Sequence, residues 1–258
     1  MAHRFCPLPL ALALVASGML ATSAVHAESW STTNAQLLYG RGFDDPIFEG
    51  RKTTSGALWT LTLEHFGAWS LGDNYFFLDV VGGDFAGPDG SPLAQGVALY
   101  GEWAPRLSMG KIARRSDRLF GPVDLLLAGQ GNFGGDGFWA GLVGAGIDVR
   151  LPKELGAVGL NGYLRDDKLN APTFQLTPYW LVTLRAGRFR TRLEGFADIA
   201  GTDELGIDFV SQPQVLLDVA ALFTTDAENV IHAGGELYLH VNRLTTTTAP
   251  QAMVNWVF

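Results

Sequence analysis

The sequence predicts an all-β protein that crosses a membrane as an antiparallel up-and-down β-barrel of about 12 strands. Apolar residues make up 47% of the 258-residue chain and its mean hydropathy is +0.15. Yet beyond the first 27 residues no stretch approaches the roughly 18 apolar residues that a membrane helix requires. Apolar and polar residues alternate instead, which is the period of a strand. The third observation is Ala249–Phe258, where Phe258, Trp256, Val254 and Ala252 share one face and Val257, Asn255, Met253 and Gln251 the other. An apolar final strand needs a partner along its edge and a cover on its face; closure onto the first strand, in lipid, supplies both.

Residues 1–27 have the pattern of a secretory signal: Arg4 in a short basic start, an apolar core from Leu8 to Leu20, and Val25-His26-Ala27 before Glu28. Residues 28–258 then form one barrel domain. The single cysteine, Cys6, lies inside that leader, so the mature chain is expected to hold no disulfide and no cysteine-ligated metal. With 26 acidic residues against 18 basic ones, the net charge of −8 argues against a nucleic-acid partner, which would call for a basic stripe. No cofactor is expected.

Strands of about nine to fourteen residues, long enough to cross a bilayer when tilted, are expected to start near Trp30, Gly56, Asp73, Gln95, Phe120, Gly137, Leu155, Thr173, Arg190, Phe209, Asn229 and Ala249. An even number places both chain ends on the periplasmic side. The first and third connections, Arg41 to Ser55 and Asp84 to Ala94, are long and rich in Gly, Pro and Asp, as outer loops should be. Gly67–Gly72, Leu151–Glu154 and Gly187–Phe189 are short, as periplasmic turns should be. The fourth connection, Gly110 to Leu119, breaks the rule: it is longer and carries Lys111, Arg114, Arg115 and Arg118.

The alternation also assigns faces. In the second strand Trp59, Leu61 and Leu63 oppose Thr60, Thr62 and Glu64. In the ninth Leu193, Ala197 and Ile199 oppose Arg190, Arg192, Glu194 and Asp198. In the tenth Val215, Leu217, Val219 and Ala221 oppose Gln214, Leu216, Asp218 and Ala220. In the eleventh Ile231, Ala233, Leu237, Leu239 and Val241 oppose His232, Glu236, Tyr238, His240 and Asn242. A soluble sandwich alternates too, with its charges in outer water. The leader and the aromatic terminus favour the membrane barrel, whose charges must face the lumen because one at the lipid midplane costs about 2–4 kcal/mol. Lumen-phase charges of both signs follow: Glu64, Asp79, Glu102, Arg106, Asp124, Asp148, Arg165, Arg185, Arg190, Arg192, Glu194, Asp198, Asp218 and Glu236. Many are expected to be cross-strand ion pairs bracing the wall. Twelve strands lie between the filled eight-stranded barrel and the open channel of sixteen or more, which implies a narrow pore.

Two patterns suggest other chemistry. Gly129-Gln130-Gly131-Asn132-Phe133-Gly134 fits GxGxxG, but a dinucleotide site needs a helix after it and the residues from Phe138 begin a strand, so it reads as a loop. A barrel-embedded lipid hydrolase needs a nucleophile beside a base. His65 shares the lipid phase of Leu61 and Leu63, while His232 and His240 share the lumen phase with Glu236 and are expected to line a wet channel.

Tyr100-Gly101-Glu102-Trp103-Ala104-Pro105-Arg106-Leu107-Ser108 and Phe120-Gly121-Pro122-Val123-Asp124-Leu125-Leu126-Leu127-Ala128 resemble the Tsx/OmpK family of nucleoside-specific channel-forming outer-membrane proteins. Weaker likenesses are Leu38-Tyr39-Gly40, Gly72–Asp79, Gly146-Ile147-Asp148 and Gln212-Pro213-Gln214. The resemblance implies a twelve-stranded Gram-negative outer-membrane channel, not an enzyme, that passes nucleosides or other small polar solutes. A nucleoside calls for aromatic faces and for polar groups that bind hydroxyls. The candidate pore-lining residues are Tyr100, Glu102, Arg106, Asp124, Gln130, Tyr163, Arg165, Tyr179, Arg192, Glu194, Gln214, Asp218, His232, Glu236, Tyr238 and His240, with Asn161 beside them. Expected partners are outer-membrane lipid, the solute, and the barrel-assembly machinery through the last strand. The rival readings are the hydrolase and a plugged barrel serving as a structural protein or as a phage or colicin receptor on its outer loops. The loops carry a departure from the family: Asn242–Thr248 is short and has no aromatic residue.

Overall fold

The computed structural model describes residues 29–43, 52–86, 91, 96–114, 118–135, 137–152, 155–224 and 230–258. The predicted leader, the middle of the first connection and most of the third lie outside these residues.

The ladder segments are β1 (Trp30–Arg41), β2 (Lys52–Trp69), β3 (Gly72–Ala86), β4 (Val97–Ser108), β5 (Val123–Gly134), β6 (Trp139–Arg150), β7 (Gly156–Asp167), β8 (Thr173–Ala186), β9 (Phe189–Thr202), β10 (Gly206–Ser211), β11 (Gln214–Asp218), β12 (Ile231–Val241) and β13 (Thr246–Val257). Each pairs antiparallel with its neighbours, and β13 returns to β1 from Asn34↔Val257 to Gly40↔Gln251. The sheet is therefore closed and has no free edge.

The ladder segments make a twelve-stranded barrel because β10 and β11 are one span. Both pair with β9 and with β12, and their registers continue unshifted, Ser211↔Ala197 into Gln214↔Glu194 and Ser211↔Leu239 into Gln214↔Glu236. The interruption is local. Pro213 has no N–H to give the ladder, and opposite it Gly195 adopts φ +147°, where a Cβ would stand 2.6 Å from the Gln212 carbonyl oxygen.

The expected tenth strand reaches too far. It ends at Asp218, and Ala220–Leu222 turn into a short 3-10 helix whose Ala221 N–H donates to the Asp218 carboxylate at 3.0 Å. Val219 and Ala221 are therefore not strand positions. The GxGxxG stretch is not a loop but the end of β5, paired with β6 from Gly129↔Val143 to Phe133↔Trp139.

Outward positions follow one rule through all the spans. Leu37, Leu61, Leu63, Leu99, Leu127, Val143, Ile147, Leu160, Leu164, Val215 and Val254 are exposed on the outer face. Tyr39, Trp59, Phe133, Trp139 and Phe174 stand near one rim, and Phe189, Trp256 and Phe258 near the rim that holds both described chain ends. Among the described residues no Asp, Glu, Lys or Arg stands in outward phase between the rims; Arg41, Asp84 and Asp166 do so at strand ends on the far rim. An uncharged belt between aromatic girdles is the surface a bilayer requires. His65 falls outward as its phase predicts, low on the wall, with its Nδ1 2.8 Å from the Thr33 hydroxyl.

The basic fourth connection owes its length to a turn of helix. Within it, α1 (Met109–Ile112) is capped by the Ser108 hydroxyl, which receives the Lys111 N–H at 3.1 Å and itself bonds Asp124. Lys111 Nζ donates to the Trp69 and Gly72 carbonyl oxygens, both at 2.9 Å, fastening this connection to the adjacent β2–β3 turn.

Candidate functional site: the barrel lumen

The lumen is built from the alternate positions of every span, and all the candidate pore-lining residues fall on that inner face. Their side chains are gathered into separate hydrogen-bonded groups.

On β4 and β5, Glu102 accepts from Gln130 Nε2 at 2.9 Å, from Asn132 Nδ2 at 3.0 Å and from the Tyr100 hydroxyl at 2.5 Å. On β1 to β3, Glu64 accepts from Asn34, Gln36 and the Tyr75 hydroxyl at 2.9, 3.2 and 2.8 Å. On β11 to β13, Glu236 accepts from Gln214 at 2.8 Å, Gln251 at 2.7 Å and Gln212 at 3.4 Å. Three strand sets thus repeat one device, a glutamate held by neutral amide and phenol donors. Such donors fix a carboxyl group in place and bring no counter-charge to it.

The cations are matched differently. Arg106 Nε meets Asp73 at 2.7 Å, Arg165 meets Asp167 at 2.7 Å, Arg192 meets Glu194 at 2.7 Å, and Arg118 meets Asp148 at 2.6 Å. Of these, Asp73–Arg106 joins neighbouring strands, whereas Arg165–Asp167 and Arg192–Glu194 lie two residues apart on one strand. The expected cross-strand bracing is thus only partly what these pairs provide. Arg165 also donates to Gln175 at 2.5 Å, and Thr177 donates to Asp198 at 2.6 Å. His240 Nε2 lies 2.8 Å from Asp208 and its ring meets Tyr238 edge-on.

One contact spans the cavity. Arg106 on β4 donates to the hydroxyl of Tyr179 on β8 at 2.5 Å, with its guanidinium 5.0 Å from that ring's centre, and Tyr179 donates onward to Asp148 at 3.0 Å. Tyr179 can reach because Gly159, between Asp148 and Tyr179 in the register, has no side chain to lift the ring.

Some of these residues belong to the wall more than to open lumen. Asp124 is 3% exposed, bound to the Ser108 hydroxyl and to the N–H groups of Gly110 and Leu119. His232 is 1% exposed, between Asp218 and Asn255 in the register. It does not line a wet passage as its phase suggested. Tyr163 packs with Ala128, Ala140 and Leu142.

The alternation alone does not disclose two apolar features. An aromatic strip runs along the inner wall: Tyr75 to Phe77 at 5.9 Å, Phe77 to Tyr100 at 6.0 Å, and Tyr100 to Phe138 at 6.5 Å, the last pair stacked. Lumen phase in Gly72–Asp79 is the signal that points to Tyr75 and Phe77. Near the far rim, Phe43 turns inward after Gly42, which has φ +103°, and packs with Leu58, Val81, Phe85, Ala98, Tyr238 and Ala249. Beneath it lies a cavity of about 30 Å³ lined by Phe43, Leu38, Leu58, Val81 and Tyr238 and by Thr60, Thr62, Asp79, Gln212, Glu236 and Gln251.

A closed sheet with an apolar exterior and an ionic, hydrogen-bonded interior defines a transmembrane β-barrel. No protein-family model matches the chain and no curated protein matches its sequence. Among solved structures it is similar to the KdgM porin, at 8% identity and TM-score 0.49 over 89% of this chain and 99% of that one. A KdgM porin in complex with disordered oligogalacturonate matches at 9% identity and TM-score 0.48 over the same shares. The beta domain of the Bordetella autotransporter BrkA matches at 8% identity and TM-score 0.36, over 88% of this chain and 99% of that one.

Proposed function

We propose that this chain is a narrow outer-membrane channel of a Gram-negative bacterium for small polar solutes, with nucleosides as the solute class its lumen suits. The carrying observation is the segregation of charge: ionisable groups occupy inward positions of nearly every span, while among the described residues outward positions between the rims carry none. Ionisable groups are costly to remove from water, and a water-filled passage spares them part of that cost.

The nucleoside part is supported by the aromatic strip and its neighbours. A flat base can stack on Tyr75, Phe77, Tyr100 and Phe138 while ribose hydroxyls meet the Glu102–Gln130–Asn132 group, which lies beside the same strip. Both surfaces are needed, since neither alone separates a nucleoside from a sugar or an aromatic amino acid.

One observation favours the rival reading of a plugged barrel that serves surface recognition: Phe43 turns into the lumen near the far rim and packs there in an apolar cluster above a cavity of about 30 Å³. Planar-bilayer recording of the purified chain decides between them. Conductance steps that added nucleoside blocks are expected. Steps indifferent to nucleoside would leave a general channel, and no steps at all would assign the chain to the plugged class. Lipid turnover lost in His232→Ala or His240→Ala would instead revive the hydrolase.

A further inference from the structure

Charge is distributed unequally between the two ends of the barrel. The chain carries a net −8, yet among the described residues every exposed charged side chain on the rim that holds the chain ends is an arginine. These are Arg114 in the β4–β5 connection, Arg150 at the end of β6, Arg185 at the end of β8 and Arg188 in the β8–β9 turn. The acids nearby lie inward: Asp73 pairs with Arg106, Asp148 pairs with Arg118, and Asp124 is buried. The far rim is mixed, with Lys168 and Arg243 exposed beside Asp166, Asp203 and Glu204.

The arginines occupy one side of the rim, from β4 round to β9. The remainder presents Trp30, Leu71, Phe223 and Phe258 and, among the described residues, no exposed charged side chain. The β8–β9 hairpin concentrates the charge. Its turn is the pair Gly187–Arg188, and Arg185 stands directly opposite Arg190 in the register. Like charges facing across a ladder destabilise it. Among the described residues no acidic side chain forms an ion pair with Arg185 or Arg188.

An independent feature indicates what kind of anion fits. The arginines are interleaved with exposed apolar side chains, Ile112 and Phe120 in the connection that holds Arg114, Leu184 and Phe189 in the hairpin. Leu184 and Phe189 stand in the outward row, each one residue from an arginine, and Phe189 is part of the aromatic girdle at this rim. A soluble anion makes no use of that row. A phospholipid meets both surfaces, its acyl chains on Leu184 and Phe189 and its phosphate at the level where long basic side chains extend out of hydrocarbon.

We infer that the arginine side of this rim binds anionic phospholipid, with Arg185 and Arg188 as the headgroup site of the β8–β9 hairpin. A phosphate oxygen accepts strongly from guanidinium donors, and basic residues beside a membrane surface attract anionic lipid. The inference rests on the barrel lying in a bilayer and not on what passes through its lumen.

The test titrates the full chain, folded in a neutral detergent, with phosphatidylglycerol or phosphatidylcholine and counts bound lipid by native mass spectrometry. Each arginine beside an anionic headgroup is worth about five-fold in affinity, so phosphatidylglycerol should bind about tenfold or more tighter than phosphatidylcholine. Arg185→Gln with Arg188→Gln should remove about tenfold or more of the phosphatidylglycerol affinity and leave phosphatidylcholine unchanged. Arg243→Gln, on the far rim, should keep the preference. If the double variant fails to fold, Arg188→Gln alone, in the turn and outside the ladder, should still lose about five-fold. Equal binding of the two lipids by wild type, or a preference that survives loss of both arginines, would overturn the site. Displacement of phosphatidylglycerol by inorganic phosphate would overturn the lipid as its occupant in favour of a soluble anion. A chain that gives no conductance steps leaves every one of these outcomes as it stands.

Discussion

The ring of Tyr179 lies across Gly159, so that a Cβ on Gly159 would stand 2.2 Å from both the ring carbon Cζ and the hydroxyl oxygen. That overlap is too deep for a small adjustment. Gly159→Ala is expected to lift the ring and break the Tyr179 bonds to Arg106 and Asp148. Hydrogen bonds to charged groups are worth about 1.5–3 kcal/mol each, so a loss on the order of 3 kcal/mol should appear in denaturant unfolding from detergent micelles. Tyr179→Phe, which keeps the ring and deletes the hydroxyl, should lose a comparable amount. A silent Gly159→Ala beside a damaging Tyr179→Phe would show that the ring has another way to reach.

Arg106 holds this span from the other side. Its Nε binds Asp73 while its Nη1 binds Tyr179, two directions that only a planar fork serves together. Arg106→Ala is expected to cost about 3 kcal/mol, the low end for breaking a buried pair, because both partners keep some contact with the lumen. It should also shift ion selectivity toward cations, since Asp73 loses its counter-charge. Arg106→Lys should restore selectivity but only part of the stability. Stability lost with selectivity unchanged would make Arg106 a brace alone.

How much of this was legible in the sequence follows from what a period of two can carry. Alternation assigned every span a lipid face and a lumen face, and Phe258 back to Ala252 marked the strand that closes the barrel onto Asn34–Gly40. It cannot say how far an inward side chain reaches. Arg106 and Tyr179 are 73 residues apart, and their meeting depends on the absence of a side chain at Gly159, which reads in the sequence as one glycine among 32. It cannot distinguish wet from buried within one phase either: His232 and His240 share a face, yet one is 1% exposed and the other binds Asp208 near the rim. The interruption at Gln212–Pro213 was visible as a proline in a strand pattern, but that the registers on both sides continue is a fact of pairing.

The exterior can be tested on its own. Val143 is 66% exposed in the outer row of β6, and Leu142 beside it is 6% exposed on the inner row. Val143→Arg should weaken folding into liposomes by about 2–4 kcal/mol, the cost of arginine near the midplane. Val143→Ile should be neutral. Heat-modifiability on gels after refolding into vesicles gives the folded fraction. Equal tolerance of Arg and Ile at this position would place it away from hydrocarbon.

Phe43 offers the sharpest separation between packing and passage. Its ring is 2% exposed and sits 5.5 Å from the ring of Tyr238, so Phe43→Ala removes apolar contacts on the order of those lost in core truncations, about 3–5 kcal/mol. The cluster, however, stands inside a lumen and not between two layers of structure, and water can enter the space vacated. The loss should therefore fall below that range, near 2 kcal/mol. Conductance per step should rise, because the ring that closes the cavity below it is gone. Phe43→Leu, which refills most of the volume, should recover the stability and leave conductance close to wild type. If Phe43→Ala destabilises the barrel without changing conductance, solute does not pass by this cluster, and the path must run along the aromatic strip of Tyr75, Phe77 and Tyr100 instead.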